Sequence, residues 1–233
     1  MLKLSLMPDL RYEDGPALPP QMPDLQRLYD LIIEHRSTTV LEFGCGYSTY
    51  IIAQALKENR EWFDGLEEKP EVRNSHLFEG FAVDTNESWI EECRLNIDGI
   101  TFHHSPCMVA SPYWNVGLCH VYASLPDVVP DFIYLDGPDP DQVNTGASGL
   151  TFTGKTPIAA DILFMEPILL PGTVVLIDGR TNNARFLRRN LKRLWSFMED
   201  REDDYTLMML EEPRLGKINV IGRDILEWLR KKN

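Results

Sequence analysis

The sequence predicts an α/β protein built on a doubly wound, mostly parallel seven-stranded sheet, with an antiparallel last strand and helices on both faces. Three observations carry that expectation. Short apolar runs that read as strands alternate with segments whose apolar residues recur at helical spacing, the pattern of successive βαβ units. One of these runs, Thr38 to Phe43, passes directly into a Gly-Cys-Gly turn at 44–46 and a helix start. Two late strand-like runs, Tyr205 to Leu210 and Lys217 to Ile221, lie close enough together to pair antiparallel.

The 233 residues suit one domain spanning 1–233, because a sheet of this size buries most of the surface its unfolded chain exposes. No apolar run approaches the roughly 20 residues of a membrane-spanning helix. Met1 to Asp9 meets Pro8 without the apolar stretch of a secretory signal, so a cytoplasmic location is expected. Cys45, Cys93, Cys107 and Cys119 show no metal-ligand spacing and are expected as free thiols. A formal charge of -13 repels polyanions, which argues against nucleic acid and anionic membrane as partners and favours a small or neutral acceptor.

Along the chain, five prolines within residues 1–23 predict an extended arm laid over the domain. Leu25, Leu28, Leu31 and Ile32 mark a helix ending near Arg36. After the strand at Thr38 to Phe43, Ser48 is placed to cap a helix through Leu56. The charged stretch 57–79 reads as a surface insertion. Phe81 to Asp84, Ile100 to Ser105 and Asp131 to Asp136 read as strands, with a helix over Ser88 to Ile97 and a hairpin over Trp114 to Tyr122. Residues 137–155 form a long loop directly after the Asp136 strand, where lids and binding loops are found. A helix over Pro157 to Leu169, a strand over Thr173 to Ile177, a long helix over Asn183 to Met198 and a last helix over Ile225 to Lys231 complete the reading.

The segment Val40-Leu41-Glu42-Phe43-Gly44-Cys45-Gly46-Tyr47-Ser48-Thr49 is the most informative. Glycine lets a backbone approach a ligand without a Cβ in the way, and the helix amino terminus that follows offers N–H donors. A tight turn that merely joins strand to helix is the plainer alternative. A dinucleotide fingerprint would place a third glycine where Thr49 stands, which argues against an NAD-dependent oxidoreductase. Glu42, two residues before Gly44, instead gives a Glu-x-Gly-x-Gly string that resembles motif I of the class I S-adenosylmethionine-dependent methyltransferases. The resemblance implies a Rossmann-like methyltransferase fold, with S-adenosylmethionine as cofactor and Glu42 positioning its methionine portion. Asp84 closes its strand 38 residues after Gly46, where a carboxylate can accept both ribose hydroxyls, and it resembles the family's second motif. The cofactor-binding set expected from turn and resemblance together is Glu42, Gly44, Cys45, Gly46, Ser48, Asp84, Thr85, Ser105 and Asp136, with His104 bordering the adenine alongside Ser105.

Asp131-Phe132-Ile133-Tyr134-Leu135-Asp136-Gly137-Pro138 is similar to motif IV of the same superfamily, and Pro171-Gly172 with Thr173 to Asp178 to its Pro-Gly turn and fifth strand. The matches run in family order over roughly 38–221. Residues 121–195 also resemble bacterial methyltransferase-like proteins found near surface-polysaccharide genes, so the acceptor expected is a small molecule or glycan. Asp136 and Asp178 end adjacent strands and are expected to face one pocket, as a shared base or as oxygen ligands to a divalent cation. Metal-dependent catechol-type members carry Asp-Asn at the second position, where this chain has Asp178-Gly179, so Asn182 or Asn183 would complete the metal set with Asp136 and Asp178. Arg180 is the alternative source of positive charge, and His104 the best placed imidazole for acid–base work. A non-catalytic cofactor-binding protein that retains the fold is the second function class.

Overall fold

The computed structural model describes residues 7–12, 15–110, 119–138, 142–144 and 158–213. In chain order, the arm carries β1 (Arg11–Tyr12) and β2 (Gly15–Pro16), followed by α1 (Met22–His35), β3 (Thr39–Phe43), α2 (Tyr47–Asp64), β4 (Glu79–Asp84), α3 (Glu87–Asn96) and β5 (Ile100–His104). Next come β6 (Cys107–Ala110), β7 (Cys119–Tyr122), β8 (Phe132–Leu135), β9 (Val143–Asn144), β10 (Ile158–Ala159) and α4 (Asp161–Met165). The described chain closes with β11 (Val174–Asp178), α5 (Thr181–Asn190), β12 (Trp195–Asp200) and β13 (Tyr205–Leu210).

The main sheet has seven strands in the order β12-β13-β11-β8-β3-β4-β5. Every pairing is parallel except those of β13, which runs antiparallel to β11 and β12. From β3 the chain winds outward through β4 to β5, then returns to add β8 on the other side. The switch point between β3 and β8 opens a crevice at their carboxyl ends, the place where ligands bind in sheets of this kind. Strand side chains alternate between two cores. Val40, Phe132, Tyr134, Val174 and Leu176 pack with α1 and α2 on one face. Leu41, Phe43, Ile133, Leu135, Val175 and Ile177 pack with α4, α5 and a second four-stranded sheet, β10-β7-β6-β9, on the other.

Several expected elements differ. The charged stretch after Lys57 is not irregular at its start, because α2 runs on to Asp64 and keeps Asn59 and Phe63 on its buried face. The expected helix to Met198 ends at Asn190, and Trp195–Asp200 is the edge strand β12, paired with β13 from Trp195 opposite Leu210 to Asp200 opposite Tyr205. Leu187, Leu191, Trp195 and Met198 fall at helical intervals, so periodicity alone could not separate helix from strand here. The helix expected over Pro157 to Leu169 is confined to α4, Asp161–Met165. The strand expected to pair within 114–122 finds its partner upstream, β7 pairing with β6. Residues 114–118, the strand at Lys217 to Ile221 and the helix at Ile225 to Lys231 lie outside the described residues, as does most of the 137–155 loop.

The two central strands are tied at their amino ends by one carboxylate. Asp131, wholly buried, accepts from the Thr38 N–H at 2.8 Å, the Thr38 hydroxyl at 2.7 Å and the Thr39 N–H at 3.0 Å. Burial pushes its carboxyl up to about 6 against the pull of these donors. Asp131→Ala would strand three buried donors, so urea unfolding is expected to show a loss of roughly 2–4 kcal/mol with an unchanged m-value.

Candidate active site

The switch point is assembled from two turns that touch backbone to backbone. Gly44 ends β3 at φ 98°, and a Cβ there would lie 3.1 Å from the Gly137 Cα and N. A Cβ on Gly137 would come within 2.5 Å of the Gly44 Cα, a distance no real Cβ shows. The glycine at 44 is therefore required by the facing turn after β8 and by its own positive φ, which is a different reason from the ligand approach the sequence suggested. At Gly46 a Cβ would meet only the Trp89 ring, at an ordinary 3.7 Å.

Glu42 lies beneath this turn, 1% exposed, and accepts hydrogen bonds from the Ser48 hydroxyl and, at 2.6 Å, from the Thr49 hydroxyl. Thr49 in turn accepts from the Gly46 N–H at 2.8 Å. The helix is thus capped from Gly46 and Thr49, and Ser48, expected as the cap, lies inside the first turn. Burial pushes the Glu42 carboxyl up to about 8, with the Asp136 and Asp84 carboxylates adding to the rise and both hydroxyls opposing it.

Asp84, at the end of β4, is 5% exposed and fixes the same turn by accepting from the Cys45 N–H at 3.1 Å and the Asn86 N–H at 2.9 Å. Burial raises its pKa, and those backbone donors oppose the rise. The Trp89 indole N–H on α3 donates to the Cys45 carbonyl at 2.7 Å, so both backbone polar groups of Cys45 are held. Thr85 donates to Gln142 at 3.0 Å, which brings the described piece of the long loop beside Asp84.

Above these residues runs a cleft of about 640 Å³, floored by Cys45, Gly46, Ser48, Asp136 and Asp178 and walled by the arm at Ala17, Leu18, Pro20 and Gln21 and by the first turn of α1. It is joined by a niche of about 170 Å³ bordered by Glu42, Gly44, Asp84, Gly137 and Gln142. Leu18, Cys45, Ser48, Trp89 and Asp136 border both. Together they fall in the size range of small-molecule and cofactor sites.

Each carboxylate on the far side of the switch point faces an arginine. Arg180 hydrogen-bonds the Asp136 carbonyl and, at 3.0 Å, the Pro138 carbonyl, with its Nε 3.9 Å from the Asp136 carboxylate. Arg27 of α1 places Nη1 3.1 Å from Asp24 and 3.6 Å from Asp178, and Nη2 3.5 Å from Asp203, with its guanidinium 4.1 Å over the Tyr205 ring. Burial and the Asp24 charge push Asp178 up to about 6, while Arg27 and the Tyr134 hydroxyl hold it back.

The described residues give no support to the divalent cation considered from sequence. No group of three or more His, Cys, Asp or Glu able to hold a metal occurs among them. Asn182 is exposed and borders neither cavity, while its neighbour Asn183 is buried and exchanges hydrogen bonds with Ala159. The positive charge beside Asp136 comes from Arg180, the alternative named above.

Of the expected set, Glu42, Gly44, Cys45, Gly46, Ser48, Asp84, Asp136 and Asp178 border the cleft or its niche. Thr85 and Arg180 stand one contact behind. His104 is exposed with its ring on the Thr85 carbonyl, and Ser105 is fully buried, accepting from the Ser124 N–H at 2.9 Å; neither borders the cleft. Sequence reasoning missed Arg27, Trp89, Leu18 and the turn Glu202–Asp204, which border or brace it. Nothing local marks either helix residue, since Trp89 follows the apolar periodicity of α3 and Arg27 reads as an ordinary polar position between the apolar residues of α1. The three successive acids at 202–204 were visible only as a charge run.

Glu42 is protonated in the fold at pH values where it ionises in the unfolded chain. The folded state therefore holds the extra proton between about pH 4.5 and 8, and stability is expected to fall across that window by up to about 1.4 kcal/mol per pH unit. Glu42→Gln removes this dependence. Thermal melts at pH 5 and pH 9 are expected to show the variant gaining on the wild type at the higher pH, and a parallel pH dependence in both proteins would refute the assignment.

No family model matches this chain, and no curated protein does. Solved structures similar to it include the O-methyltransferase TomG from Streptomyces achromogenes, in complex with SAM, at 14% identity and a TM-score of 0.46, covering 85% of this chain and 84% of that one. Another is an O-methyltransferase from Bacillus cereus in complex with SAH, at 15% identity, a TM-score of 0.42 and 84% coverage of each chain. A methyltransferase from Geobacter sulfurreducens is also similar, at 15% identity and a TM-score of 0.45, with 84% of this chain and 82% of that one covered. At such identities the chemistry of this chain rests on its own residues.

Proposed function

We propose that this protein is an S-adenosylmethionine-dependent methyltransferase acting on an oxygen of a small molecule or sugar. The observation that carries the reading is spatial. The glycine turn, the carboxylate Asp84 and the strand-end carboxylates Asp136 and Asp178 border a cleft and an adjoining niche at the switch point of the sheet, with Asp84 in the niche, Asp178 in the cleft and Asp136 in both. S-adenosylmethionine, when bound, supplies an electrophilic methyl group. The residues of this chain bind, orient and handle the proton. Asp84 would hold the nucleoside beside the Cys45–Gly46 turn, which Glu42 and Asp84 keep rigid from below. Asp136 borders both niche and cleft and lies where the two substrates would meet, braced by Arg180.

Asp178 is suited to take the acceptor's proton. Its carboxyl titrates at about 6, so it is ionised at neutral pH yet basic enough to accept a proton. Because the ionised form is the active one, kcat/KM is expected to rise with pH through about 6 and then level off. Asp178→Asn should lower kcat by roughly 10²- to 10⁴-fold, the usual range for a lost general base, and abolish that acid limb. An unchanged profile in the variant would remove Asp178 from the chemistry.

Cofactor identity is tested by calorimetry with S-adenosylmethionine, S-adenosylhomocysteine and NAD. Binding of the first two with no NAD signal is expected, and the reverse would favour the oxidoreductase. Asp84→Ala should weaken S-adenosylhomocysteine by about 1–3 kcal/mol, the range for losing a charged hydrogen-bond partner. Equal affinity in that variant would take Asp84 out of the nucleoside site.

A further inference from the structure

The arm does more than cover the domain. Leu10 is 1% exposed and Ala17 9%, both packed among Ala53, Trp89, Cys93 and Ile97. The Ala17 N–H donates to the Leu10 carbonyl at 3.1 Å, and the Arg11 N–H donates to Glu92 of α3 at 3.0 Å. Between this anchor and α1 stands Leu18, 84% exposed and bordering both the cleft and the niche, across from Cys45, Ser48 and Asp136. Pro19 follows it and restricts Leu18 to extended backbone, so its presentation is fixed by sequence.

A singly exposed leucine on a surface is ordinary. Leu18 differs in being held at the junction of two cavities by neighbours that are themselves buried. We propose that the arm is a strap that closes on the nucleoside end of the bound cofactor, with Leu18 as the side chain that lands on it. This rests on the methyltransferase reading above. Ligand binding would cover an apolar side chain that is otherwise in water, and removing that surface from water favours the bound state. The anchor on Trp89 and Glu92 makes α3 the hinge side of the strap, with Trp89 also holding the Cys45 carbonyl. Arm and glycine turn therefore share one support.

The test is calorimetry of the full chain with S-adenosylhomocysteine, for the wild type, Leu18→Ala and Leu18→Asp. Leu18→Ala is expected to weaken binding about tenfold, equivalent to about 1.4 kcal/mol, and Leu18→Asp further. Both variants should melt with the wild type when no ligand is present, since the side chain is in water. Limited trypsin digestion gives a second readout: S-adenosylhomocysteine should slow cleavage after Arg11 in the wild type and not in Leu18→Asp. Unchanged affinity in both variants, or cleavage at Arg11 indifferent to the ligand, overturns the strap and leaves the methyltransferase reading intact. A wild type that does not bind S-adenosylhomocysteine overturns that reading and the strap with it.

Discussion

The approach of Gly44 to Gly137 is the constraint on which the site depends. Two strand-end turns, one after β3 and one after β8, lie so close that either glycine, given a Cβ, would meet the other's backbone. Such an approach is available only at the switch point, where neighbouring parallel strands send their following segments in opposite directions. It sets Asp136 beside the glycine turn, and it allows Arg180 to reach back from the end of β11 to the carbonyls of Asp136 and Pro138. The floor of the cleft is therefore a set of turns locked to one another.

Buried carboxylates do the remaining work of holding that floor. Glu42 reaches up to the first turn of α2 through two hydroxyls, and Asp84 reaches across from β4 to the Cys45 N–H. Asp131 does the same at the opposite end of β3 and β8. Burial disfavours the charged form of each, and hydrogen bonds only partly offset that penalty. Asp178 differs from these three in having a guanidinium neighbour, Arg27, and in bordering the larger cleft.

Much of this was legible in the residues. The Glu-x-Gly-x-Gly string and the strand-ending aspartates at 84, 136 and 178 are local signals, because each depends on a strand, a turn and a few adjacent side chains. The failures lie where a local pattern had two solutions. Leu187, Leu191, Trp195 and Met198 satisfy a helical period, yet β13 offers an open edge and the chain from Trp195 takes it as β12. The charges after Lys57 hid a helix whose inner face, Asn59 and Phe63, is sparse. His104 and Ser105 stand at the correct strand end but outside the cleft, because the second sheet begins at Cys107 and Ser105 is buried beneath it.

By itself, the sequence determined the α/β class, the switch-point turn and the acidic residues that close the strands, since these follow from alternation, glycine and short-range order. Tertiary structure alone decided which groups meet. Arg27 reaches Asp178 from a helix 151 residues earlier in the chain, Trp89 fixes Cys45 from α3, and the arm brings Leu18 over both. No periodicity encodes such meetings, because they depend on how far apart elements are set when both faces of one sheet are packed at the same time.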